Sequence, residues 1–139
     1  MSKNFLKEYH STVVKAAGEN AKKLNTKIGI IMADKFDANT PNFNNTKDFT
    51  QKFENYLKNL EFADQVSIYC DEKDYMLKIK GCEICHGNEI LRQEGIGTAC
   101  PIVQMAKYSI VKKMRKNVTL NGIDKPGPIG ECVMRFTLE

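Results

Sequence analysis

The stretch VSIYCDEKDYMLKIK, residues 66–80, decides the fold class. Val66, Ile68 and Cys70 alternate with Ser67 and Tyr69. Beyond the polar corner DEKD, Tyr75, Leu77 and Ile79 alternate with Met76 and Lys78. A hydrophobic period of two is that of a half-buried strand, so two such runs around a polar corner predict a β-hairpin with one apolar face. Such a face must be covered, and the flanking sequence says by what.

Upstream the period is helical. Over residues 4–23, Phe5, Leu6, Tyr9, Val13, Ala16 and Ala17 recur at three- and four-residue intervals and predict a first amphipathic helix. KIGIIMADKF, residues 27–36, is a short apolar run that fits either a strand or further buried helix. DANTPNFNNT, residues 37–46, reads as a polar loop. From Thr46, the positions of Phe49, Phe53, Tyr56, Leu57 and Leu60 predict a second helix, with Thr46 or Asn45 as its cap.

Downstream of Gly81, a short helical piece is expected near residues 88–94. Pro101 then suits the first position of a helix over residues 101–116, which places Cys100 at its amino-terminal cap. Ile102, Val103, Ala106, Ile110 and Met114 form that helix's apolar face. NVTLNGI (117–123) and ECVMRFTLE (131–139) read as two more strands around the stiff DKPGPIG turn, with Cys132, Met134, Phe136 and Leu138 on one face. The expected architecture is an α+β fold: an antiparallel sheet of about four strands with helices packed on one face. A length of 139 residues suits one domain, with a helical part to residue 62 and a cysteine-bearing α+β part over residues 63–139.

Twenty-one Lys and Arg against seventeen Asp and Glu leave a net charge of +4 with both signs interleaved, too mild a balance for a nucleic-acid partner. The basic residues of VKKMRK, 111–116, read as complements to the end of a helix. MSKNFLKEYH at the amino terminus lacks the apolar run of a signal peptide, and no stretch has membrane-spanning length, so a cytoplasmic protein without a membrane partner is expected. In that compartment five cysteines, an odd number, point to metal-bound, redox-active or unpaired thiols before structural disulfides.

The motif GCEICHG, residues 81–87, gives the cysteines three readings. Cys82, Cys85 and His86 have the spacing of a covalent haem attachment. Cys82 and Cys85 also suit one knuckle of a zinc or iron–sulfur site completed by Cys100 and Cys132, with His86 or Glu131 as substitute ligands. Finally, Cys100 at a helix amino terminus is a candidate catalytic nucleophile with a lowered pKa, with His86 as base and Glu94 or Glu131 to orient it. Strand and helix rises bring Cys82, Cys100 and Cys132 to one end of the domain and leave Cys70 at the other, where it reads as a small core residue. His10 reads as a surface residue.

The cysteine-bearing segment KGCEICHGNEILRQEGIGTAC, followed by a helix, a strand and GECVMRFTLE, resembles the small-molecule-binding domains of the 4-vinyl reductase type and the 2-aminothiazoline-4-carboxylate hydrolase-like proteins. The likeness spans roughly residues 66–139. It implies an α+β domain with a pocket for a small hydrophobic or cofactor-like ligand, used for sensing or delivery. It also implies that Cys100, Glu131 and Cys132 occupy positions able to hold zinc. The usual second cysteine of the terminal hairpin is absent, and Cys82 and Cys85 stand as its substitutes. Phe5, Tyr9, Phe49, Phe53 and Tyr56 are available either to line such a pocket or to form core. A homodimer is a further expectation, since the chain stops in a strand that suits a sheet edge.

Overall fold

A computed structural model of the chain describes residues 3–38, 46–71 and 73–138. The expected hairpin is present: β1 (Gln65–Asp71) pairs antiparallel with β2 (Asp74–Lys80) in the register Val66↔Ile79, Ile68↔Leu77 and Cys70↔Tyr75. β3 (Val118–Asp124) and β4 (Cys132–Leu138) complete an antiparallel four-stranded sheet in the order β1-β2-β4-β3. The last strand is therefore central, between β2 and β3, which removes the sheet-edge ground for a homodimer through it. β4 is central because Cys132, Met134, Phe136 and Leu138 are all buried, and a strand so apolar is best covered by neighbours on both sides.

Helices cover the face carrying Val66, Ile68, Tyr75, Leu77 and Ile79, and the described fold is α+β as expected. α3 (Thr46–Asn59) lies on β1 and contributes Phe49, Phe53 and Leu57, all fully buried. Phe49 stacks on Phe53 and Phe36 meets both edge-on, so the aromatic stripe is core. The loop of residues 39–45, with the proposed cap Asn45, and the middle of the DEKD corner lie outside the described residues, whereas Thr46, the other proposed cap, is the first residue of α3. Among the described residues, no helix is long and apolar enough to cross a membrane.

Two expectations about the first helix are corrected. α1 (Lys3–Ala17) ends earlier than residue 23, because Gly18 adopts φ +58° and opens a short 3-10 turn. The run KIGIIMADKF then lies within α2 (Ala21–Ala38), where Asn25, Gly29, Ala33 and Phe36 form the buried face. The buried face of α1 is also rotated from the expected one. His10, Ser11 and Val14 are buried, whereas Phe5 and Tyr9 stack on each other at the surface. His10 is thus no surface residue. Gly87 presents only hydrogen to Lys7 and His10, so the helix that carries it packs directly on α1.

α5 (Pro101–Met114) begins at Pro101 as expected and ends two residues early, at Arg115 in the left-handed conformation. It packs on α2 at Gly29, where an added Cβ would stand 2.7 Å from the Pro101 carbonyl and from Gln104 Cβ. That close approach is what seats the amino terminus of α5, and with it Cys100.

Candidate metal centre

The motif residues lie on a helix that sequence periodicity placed too late. α4 runs over Glu83–Gln93, so Cys82 is its amino-terminal cap and Cys85 and His86 lie in its first turns. Gly81, at φ +68°, ends β2 and turns the chain into this helix. Two backbone hydrogen bonds then pin its start: Cys82 N–H donates to the Gly130 carbonyl at 2.9 Å, and Glu83 N–H to that of Phe62 at 3.1 Å. The first of these ties the motif to the turn before β4.

Register does the rest. Cys132 pairs with Ile79, three residues before Cys82, so both sulfurs belong to one end of the sheet. After α4, Ile96 N–H returns to the Leu91 carbonyl at 2.8 Å, and Ala99 N–H donates to Asn88 Oδ1 at 3.3 Å. This folded connection brings Cys100 back beside the start of α4. Cys85, Cys100 and Cys132 line one cavity of about 270 Å³ together with Asn88, Arg92 and Lys125. Cys82 sits behind Cys85, fully covered.

Electrostatics identify Cys85 as the centre of the group. The thiols of Cys132 and Cys82 reach its sulfur as hydrogen-bond donors and hold it far below the usual thiol range, against burial and with help from Lys125 and His86. Cys82 and Cys132 are driven up, first by donating hydrogen bonds to Cys85 and then by burial. The three titrate as one set, and Cys100 is close enough for its charge to be felt by both outer members. Among the described residues, no group of three or more Cys, His, Asp and Glu side chains already has a metal-holding arrangement. The sulfurs are spaced as hydrogen-bonded thiols.

The lowered pKa expected for Cys100 is not what its surroundings favour. Burial pushes its thiol up, outweighing the N–H groups of Ile102 and Val103, which favour the thiolate without closing a capping hydrogen bond. The orienting carboxylates are also engaged elsewhere. Glu94 pairs with Lys15 at 2.5 Å, and Glu131 folds over Gly127 and faces Lys80 at 4.0 Å. His86 places its Nε2 against the backbone of Gly130.

Cys70 lies at the opposite end of the hairpin from Cys82, as expected, but it is exposed and not a core residue. It stands at the far end of an edge strand, where burial stops at Ile68. Lys125, Arg92 and Asn88 were not foreseen as neighbours of the sulfurs. Asn88 alone left a sequence signal, since it follows Cys85 by one helical turn and faces the same way.

Residues 8–120, more than half of the chain, match the family model described as "Putative rubredoxin C-terminal domain". The matched span holds Cys82, Cys85, His86 and Cys100 and stops before Cys132. It is not the 4-vinyl reductase type, and it includes most of α1 and all of α2 and α3, which the resemblance over residues 66–139 left out. No curated protein matches the chain. By a match over more than half of its length, this chain belongs to the family so described, the rubredoxin C-terminal domain family.

Proposed function

We propose that Cys82, Cys85, Cys100 and Cys132 bind one soft metal ion, iron or zinc, in a tetrahedral tetrathiolate site. The observation that carries this reading is the convergence of four thiols from three separate segments, with Cys85 in hydrogen-bonding contact with two of the others. Four sulfur donors select zinc or iron chemistry over hard cations, and the word rubredoxin in the family's description favours iron. A divalent ion with four thiolates carries net negative charge. Lys125 and Arg92 line the same cavity, and two helix amino termini point toward it, so that charge is offset locally. Binding replaces the S–H···S contacts by metal–sulfur bonds of about 2.3 Å, releases protons, and draws the sulfurs together.

The haem alternative has less support. Cys82 and Cys85 are buried against other sulfurs, where thioether bonds to a macrocycle have no room. The test is metal analysis with an absorption spectrum on protein purified anaerobically and, in parallel, reconstituted with ferrous iron or zinc. One equivalent of metal is expected, lost in Cys85→Ser and kept in Cys70→Ser. Substoichiometric metal after reconstitution, with no thiolate charge-transfer band, sinks the proposal.

A further inference from the structure

A mainly apolar cavity lies away from the sulfurs. It holds about 300 Å³ between α1, α2 and the start of α5, at the low end of the range for small-molecule sites. Leu6, Val13, Ile28, Met32, Ile84 and Ile102 form its walls, and the exposed residues Tyr9 and Glu61 mark where it reaches the surface.

Two buried polar residues break this apolar lining, and the hydrogen bonds each already makes decide what it can still offer. Asn25 is 4% exposed and donates through Nδ2 to the Ala21 carbonyl at 3.0 Å, which fixes the orientation of its amide. Its Oδ1 accepts nothing from the described residues, yet it is not among their sealed, partnerless polar atoms. An atom unpaired in so buried a residue, but not closed off, faces the cavity. His10, 7% exposed, places Nε2 2.9 Å from Asn88 Oδ1. That oxygen also accepts Ala99 N–H, which fixes it as oxygen, so Nε2 carries a proton, and in a neutral ring that leaves Nδ1 as an acceptor. The Met32 carbonyl is occupied by the Tyr56 hydroxyl at 3.2 Å. The groups left to meet a ligand are therefore acceptors, Asn25 Oδ1 and His10 Nδ1, with the Glu61 carboxylate at the mouth.

We infer that this cavity binds a small, mainly apolar molecule with a single hydrogen-bond-donating head, an alcohol or an amine, and rejects the matching carboxylate. Asn25 sets the head group, and the aliphatic wall takes the chain. The site is independent of the metal reading, because none of its walls is a cysteine.

The experiment is an amide-resolved NMR titration of the full chain with hexanol, hexylamine and hexanoate, followed by calorimetry. Shifts centred on α1, α2 and the start of α5 are expected for hexanol and hexylamine, with hexanoate at least about tenfold weaker. Ile28→Phe should fill the cavity and remove binding of all three while the circular dichroism spectrum is unchanged. Asn25→Leu should weaken hexanol roughly three- to tenfold, the worth of one hydrogen bond, and leave benzene binding intact. The inference is overturned if hexanoate binds as well as hexanol, if no probe binds up to its solubility, or if Ile28→Phe, folded by the same spectrum, still takes up hexanol.

Discussion

Replacing Gly130 by alanine tests how the sulfur end of the domain is held together. Gly130 has φ +100°, a region that costs an L-residue about 1–3 kcal/mol. An added Cβ would also stand 3.1 Å from Cys82 N, 3.1 Å from His86 Nε2 and 3.2 Å from Gly81 Cα. The imidazole can turn aside. The backbone of Cys82 cannot, because its N–H is bonded to the Gly130 carbonyl at 2.9 Å and retreat would break that bond. Overpacking of this kind adds about 1–3 kcal/mol, so Gly130→Ala should lose about 2–6 kcal/mol in all. Urea unfolding of the metal-free, reduced protein measures it. Gly95→Ala is the control: its φ is +72° but an added Cβ meets nothing within 4 Å, so only the backbone component remains. Because the strained contact joins the Cys82 and Cys132 segments, Gly130→Ala should also weaken metal binding, read by chelator competition, whereas Gly95→Ala should not. If Gly130→Ala is no less stable than Gly95→Ala and binds metal equally well, the turn does not position the sulfurs.

Gly29→Ala should lower the melting temperature even though alanine is the better helix former by about 1 kcal/mol, because a Cβ there would press on the first turn of α5; a rise in melting temperature would refute the close packing. Tyr75→Phe should be neutral or stabilising by up to about 1 kcal/mol, since the hydroxyls of Tyr75 and Thr50 are both buried and approach each other without a well-formed hydrogen bond. Burial raises the Tyr75 phenol above its ordinary value of 10.0, so native stability is intact below pH 10 and declines as pH rises past it; Tyr75→Phe should flatten that decline in alkaline melting curves. Lys112→Ala removes an exposed ion pair with Asp34 and should cost less than about 1 kcal/mol in the same urea assay.

The sheet and α3 were legible because their patterns are unmixed. The period-two runs around residues 66–80 and the Phe49, Phe53, Leu57 stripe each point to one face, and the structure buries that face. The start of α5 was legible from Pro101 alone, whose fixed φ suits the first helical turn. α1 misled because its largest apolar residues, Phe5 and Tyr9, stack on each other outside, while the smaller Val14 and the polar His10 and Ser11 go in. That inversion depends on what α4 offers to α1, namely a glycine at 87 and an amide at 88, and no local pattern in α1 encodes it. Cys70 misled for a related reason: alternation marks a face but not how far along the strand that face stays covered.

The convergence of the sulfurs follows from chain geometry, but their placement to within a bond length does not. Strand register brings Cys132 level with Cys82 regardless of the helices. Cys100 has no such guide, since it hangs on a connection of irregular backbone that is steadied by Ala99 N–H on Asn88 Oδ1. The same oxygen accepts a hydrogen bond from His10 Nε2–H, and Gly87 lets α1 approach α4 closely enough for that bond to form. On its other side, Cys100 starts a helix seated against Gly29 of α2. Both constraints come from the amino-terminal helices, which contain no sulfur. The cysteine-bearing half of the sequence therefore carries all four candidate ligands but only part of what fixes their spacing, and it is α1 and α2 that hold the fourth sulfur in range of the other three.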